Sequence, residues 1–194
     1  MFIKSGSLAT VLLVGSTLMF GGCGGEVPET SEAEPGGDES VVLGTTKQAV
    51  YSGWTPYTSD GLPAAVCDGS SLPTQVQCRG RYCDDVRLNC QPTAGVPGGV
   101  TWTLYFSDET YPPPGRTCPD GAWMTGFTCL GDYCDRVSIQ CTYMSNISPK
   151  NCFWSGWHSE ENLGVLTFGP NVYPRGAWCK GDYCDSLKYY LCSP

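Results

Sequence analysis

Three short stretches hold the residues of this chain best suited to chemistry: CRGRYCD at Cys78 to Asp84, CLGDYCD at Cys129 to Asp135, and CKGDYCD at Cys179 to Asp185. Each sets a carboxylate (Asp84, Asp135, Asp185) beside a tyrosine (Tyr82, Tyr133, Tyr183) and a glycine (Gly80, Gly131, Gly181). Such a carboxylate accepts hydrogen bonds from vicinal hydroxyls, loop amides beside glycine approach a ligand closely, and an aromatic ring covers the C–H surface of a sugar. The same residues also suit a disulfide-clamped turn, with Asp binding loop amides and Tyr packing at a boundary. The cysteines are spaced C-x4-C, not C-x2-C as in zinc sites, so no metal and no cofactor is expected. A calcium ion at Asp132 with Asp135, or at Asp182 with Asp185, would have no counterpart in the first copy, where Arg81 stands.

The elements that must position these residues repeat with them. Trp54, Trp102 and Trp154 each stand five residues before Ser59, Ser107 and Ser159, and each serine is followed by an acid, Asp60, Asp108 or Glu160. After each motif comes an apolar alternation: Val86, Leu88, Cys90; Val137, Ile139, Cys141; Leu187, Tyr189, Leu191. Period two reads as a half-buried strand. Trp123 to Cys129 reads as the strand before the second motif, and the motif glycine can take positive φ in a tight connection. Each motif is therefore expected at a hairpin tip. With no sustained helical periodicity, the fold is predicted to be all-β. Units of about 51–97, 98–148 and 149–194 are too small to hold a core singly, which predicts three sectors of one pseudo-threefold domain spanning 51–194. Trp54, Trp102 and Trp154 are expected in its core, the Ser-acid pairs in turns, and His158, the one histidine, on the surface.

Cysteine placement predicts the cross-links. The first two units share a further cysteine, Cys67 and Cys118, eleven residues before the motif, where the third has Phe168. The third unit has Cys152 instead, and one added residue in its last strand turns Cys192 to the opposite face. The expected pairs are Cys78–Cys83, Cys129–Cys134 and Cys179–Cys184 across the tips, with Cys67–Cys90, Cys118–Cys141 and Cys152–Cys192 tying each unit.

Twelve cysteines in pairs require an oxidising compartment, and the N-terminus agrees. Lys4 and the apolar run Leu8 to Phe20 read as a signal peptide over 1–22. Phe20-Gly21-Gly22-Cys23 resembles the lipobox of bacterial lipoproteins, which implies cleavage before Cys23, lipidation of its thiol and attachment to the cell-envelope membrane. Plain secretion, with Cys23 discarded, also leaves an even cysteine count. Residues 23–50 are acidic and rich in Gly, Pro, Ser and Thr, as expected of a disordered tether. The chain carries 11 basic against 19 acidic residues with no basic cluster, so nucleic acid is not an expected partner.

A threefold all-β chain whose Gly80–Asp84, Gly131–Asp135 and Gly181–Asp185 loops read Gly-x-x-x-Asp resembles the β-prism of jacalin-related lectins. The spacing of Trp, Ser-acid and terminal Cys is similar to that of vitelline membrane outer layer proteins, which share that prism. The resemblance implies four-stranded sectors and a sugar site at the Gly, Tyr and Asp of each loop, with glycans or cell-surface polysaccharide as partners. Their second, Gly-Gly-rich sugar loop has no counterpart here, and a β-trefoil is the alternative fold. No metalloprotease or nucleophile-elbow motif is present, and repeated identical sites suit binding better than catalysis, so the chain is not expected to be an enzyme. The alternative function is a structural or adhesive envelope protein without a small ligand.

Overall fold

The computed structural model describes residues 52–194 apart from 110–114 and 162–163. The signal peptide, Cys23 and the tether lie outside the described residues. Twelve strands are found among those described: β1 (Gly53–Trp54), β2 (Ala65–Val66), β3 (Ser71–Arg79), β4 (Asp85–Pro92), β5 (Val96–Trp102), β6 (Gly115–Thr117), β7 (Ala122–Leu130), β8 (Arg136–Ser145), β9 (Lys150–Trp154), β10 (Val165–Thr167), β11 (Tyr173–Lys180) and β12 (Ser186–Ser193). The protein is all-β, and β5 crosses the 97/98 junction between the first two repeats.

The strands form three antiparallel four-stranded sheets, ordered β1-β4-β3-β10, β2-β7-β8-β5 and β6-β11-β12-β9. At the centre of each lies a long hairpin, β3–β4, β7–β8 or β11–β12, whose last pairs are Arg79 with Asp85, Leu130 with Arg136 and Lys180 with Ser186. The three motifs are therefore hairpin tips. One flank of each sheet is the Trp-bearing strand of the same repeat. The other is a two- or three-residue strand lent by the preceding repeat: β2 joins the second sheet, β6 the third, and β10 returns to the first.

Period two gives each hairpin an inner apolar row. Val76, Val86 and Leu88, Phe127, Val137 and Ile139, and Ala177, Leu187 and Tyr189 meet in one buried cluster drawn from all three sheets. Trp54, Trp102 and Trp154 are not in it, contrary to the sequence expectation. They pair in register with Asn89, Gln140 and Tyr190, whose side chains belong to the outward row, and Trp102 is 38% exposed. The core is instead filled from four residues farther on, where Thr58, Phe106 and His158 bridge to Val86, Val137 and Leu187. His158 is thus buried, at 3% exposure, and not on the surface. Burial lowers its pKa, against the opposing influence of the Gly164 backbone and Glu160.

The six disulfides are Cys78–Cys83, Cys129–Cys134, Cys179–Cys184, Cys67–Cys90, Cys118–Cys141 and Cys152–Cys192, the pairs expected from the sequence. Two of the long bonds do more than tie a unit. Cys67 follows β2 and donates its N–H to Thr125 of the second sheet, so Cys67–Cys90 staples the second sheet to the first. Cys118 follows β6 and donates to Arg175 of the third sheet, so Cys118–Cys141 staples the third to the second. Buried Arg175 reinforces this seam through the carbonyls of Cys118, Pro119 and Ala122. At the remaining seam Phe168 donates its N–H to Thr74 of the first sheet, and its ring packs 5.4 Å from that of Tyr189 in the third. Cys152–Cys192 lies within the third sheet, where a register shift between Leu191 and Ser193 turns Cys192 toward β9. Such cross-linking marks an extracellular or otherwise oxidising environment. No helix among the described residues is long and apolar enough to cross a membrane.

Candidate functional site

The three hairpin tips converge. Each begins with a motif glycine at φ 79°, 84° or 80° and extended ψ, a conformation open almost only to glycine, and makes one tight 3-10 turn. Tyr82, Tyr133 and Tyr183 follow at φ 63°, 55° and 62°, and the next cysteines are also left-handed. Positive φ is uncommon for such residues, and here it turns the rings toward one another. Their centroids lie 5.5 Å (Tyr82–Tyr133), 5.4 Å (Tyr82–Tyr183) and 5.3 Å (Tyr133–Tyr183) apart, so the three form a single aromatic cluster that closes one end of the domain. Tyr133 and Tyr183 remain 43% and 42% exposed. Neighbouring tips also touch one another: Cys134 Sγ lies 3.0 Å from the Asp84 carbonyl oxygen and Cys184 Sγ 3.2 Å from that of Asp135.

Asp84, Asp135 and Asp185 fold back over their own loops. A Cβ added at Gly80, Gly131 or Gly181 would collide with the carboxyl of Asp84, Asp135 or Asp185 respectively. Gly181→Ala should therefore cost about 1–3 kcal/mol from backbone conformation alone, and more from the collision. Gly156→Ala, at a glycine with open space around it, should be nearly neutral when the two variants are compared in thermal melts.

Burial is the first cause of the raised pKa of Asp84, with Asp85 and Glu160 adding repulsion and backbone hydrogen bonds opposing. Burial also leads at Asp185, where Glu160 and Asp182 add while Ser186 and Lys180 oppose. The sign follows directly: a carboxyl that protonates more readily when folded contributes stability below its unfolded value and loses it as pH rises through the folded one. Asp84→Asn/Asp185→Asn should therefore flatten the dependence of Tm on pH from about pH 4 upward. An unchanged profile in scanning calorimetry would refute this.

The sequence assigned the Ser-acid pairs to turns and missed their reach. Asp60 Oδ1 accepts the N–H of Gly131 at 2.8 Å, so an acid of the first repeat secures the second tip. Glu160 Oε1 accepts the N–H of Tyr82 at 3.1 Å, so the third repeat secures the first tip. Their recurrence before every motif was the available signal. The equivalent Asp108 of the second repeat makes no such bond to the third tip among the described residues. A cleft of about 340 Å³ lies there, lined by Ser107, Asp108, Glu109, Asp135, Gly181, Asp182, Tyr183 and Cys184. A shallower hollow lies between Asp60 and Gly131, Asp132 and Tyr133.

Among the predicted site residues, the cleft thus unites Asp135, Gly181 and Tyr183. Gly80, Tyr82 and Asp84 belong to the tip that Glu160 secures, and Gly131 and Tyr133 to the one that Asp60 secures. Carboxylate acceptors and a partly exposed phenol ring are the groups on offer, which suits a polyhydroxylated ligand. No protein-family model matches the chain, and no curated protein or solved structure matches it.

Proposed function

We propose that this protein is an exported, non-catalytic carbohydrate-binding module of β-prism form, and that it holds glycan in the cleft between its second and third hairpin tips. Three four-stranded sheets, each with a hairpin tip at the same end, support the prism over a trefoil. One observation carries the site: two of three equivalent acids are engaged by the next tip, while Asp108 is not among the described residues and a cleft opens beside it. Asp108, Asp135 and Asp182 offer acceptors for vicinal hydroxyls, and Tyr183 offers its ring to the sugar's C–H face. The expected affinity for one monosaccharide is on the order of millimolar, raised on a polymer where several copies of the protein engage it together. The signal peptide, the acidic tether and the lipobox-like Cys23 support delivery to a bacterial cell envelope with a lipid anchor.

The fold-back of Asp84, Asp135 and Asp185 onto their glycines favours a second reading, in which the tips are structural and the domain is a rigid envelope or adhesive brick. A glycan array probed with the oxidised protein separates the two. Saturable binding that Asp108→Asn/Asp182→Asn weakens about tenfold or more supports the module. A silent array supports the brick.

A further inference from the structure

The outer face of the third sheet differs from those of the other two. Trp154 on β9, Trp178 on β11, Tyr190 on β12 and nearby Trp157 form an aromatic layer there, with Trp154 edge-on to Trp178 at 5.7 Å and tilted against Tyr190 at 5.1 Å. Trp178 lies across Gly115 of β6, where any side chain would press on the indole at 3.1–3.2 Å. Lys188 extends over this layer, its Nζ 4.2 Å from the ring centroid of Trp178, 4.7 Å from Trp157 and 5.1 Å from Trp154. The Nζ of Lys180 lies 4.5 Å from Trp157.

Neither lysine has a carboxylate in ion-pair contact among the described residues, in a chain where acids outnumber bases 19 to 11. Asp185 feels Lys180 only through space. The first sheet is satisfied internally: Arg79 covers Tyr57 and pairs with Asp85, while Arg87 covers Trp54 and donates to Gln77. On the second, Trp102 is exposed with no cation over it among the described residues.

We propose that the outer face of the third sheet is a second binding surface, and that its ligand is an acidic polysaccharide, a chain of uronate sugars. Pyranose rings bring C–H faces to the indoles, and their carboxylates take the lysine ammonium groups as partners. Lys188 can turn its head toward such a carboxylate while its stem stays on the rings. A lipid surface fits less well, because Trp154, Trp178 and Tyr190 are half-buried and only Trp157 of the layer is more exposed, at 36%. This surface does not depend on the Asp108 cleft.

Polygalacturonate and its methyl-esterified form, titrated against the oxidised protein while tryptophan fluorescence is followed, provide the test. The acid form should bind at least about tenfold more tightly than the ester and weaken as salt is added. Lys188→Gln and Trp178→Ala should each weaken it several-fold. The proposal is overturned if polygalacturonate does not bind, if the ester binds equally, if neither Lys188→Gln nor Trp178→Ala matters, or if anionic phospholipid vesicles bind and the polymer does not. Because the ester comparison uses the unaltered protein, misfolding of a variant cannot rescue the idea.

Discussion

Phe168→Ala is expected to destabilise the domain by about 3–5 kcal/mol, among the largest effects of any single substitution. Phe168 stands where the other repeats have Cys67 and Cys118, and Leu191 stands where they have Cys90 and Cys141. Two seams between sheets are covalent, and the third depends on Phe168 packing against Tyr189 and its neighbours. Phe168 is 2% exposed, so truncation leaves a cavity at the one seam with no staple to limit opening. Denaturant unfolding monitored by tryptophan fluorescence should show a lower midpoint. A loss below about 1 kcal/mol would mean that this seam closes by other means.

Removing a staple should be felt nearly as strongly. Cys67 and Cys90 are 23 residues apart, and a loop of that length contributes about 3 kcal/mol in the chain-entropy account. The tip bonds span five residues and contribute about 2 kcal/mol on the same account. Cys67→Ala/Cys90→Ala should therefore destabilise more than Cys78→Ala/Cys83→Ala, compared by the same denaturant curves. Because Cys67 lies beside the second sheet and Cys90 in the first, the first pair should also raise hydrogen exchange at Ala65 and Val66, where β2 meets β7. Equal losses for the two double variants would contradict the role of this bond as a link between sheets.

What could be read from the sequence was local. The motif glycines needed positive φ, the alternation after them set inner and outer rows, and the displaced Cys192 named Cys152 as its partner. The strand exchange was not legible, because Ala65–Val66, Gly115–Thr117 and Val165–Thr167 are too short to show alternation and pair with residues far along the chain. The tryptophans were misplaced for a related reason. Trp54, Trp102 and Trp154 lie at the ends of flanking strands whose inward row is set by the hairpin beside them, so size alone pointed to burial. Of the candidate site, the sequence marked the Gly, Tyr and Asp of each tip as repeated, but the meeting of three tyrosines at one point and the reach of Asp60 and Glu160 to the next tip are tertiary facts.

On the proposed function, one cleft, and not three like loops, receives the sugar. Amide chemical-shift mapping of the oxidised protein, titrated with a glycan that the array identifies, tests it most directly. Shifts should concentrate at Asp108, Glu109, Gly181, Asp182 and Tyr183, with Gly80 and Gly131 little changed. Equal shifts at Gly80, Gly131 and Gly181, or shifts that avoid all three tips, would contradict it.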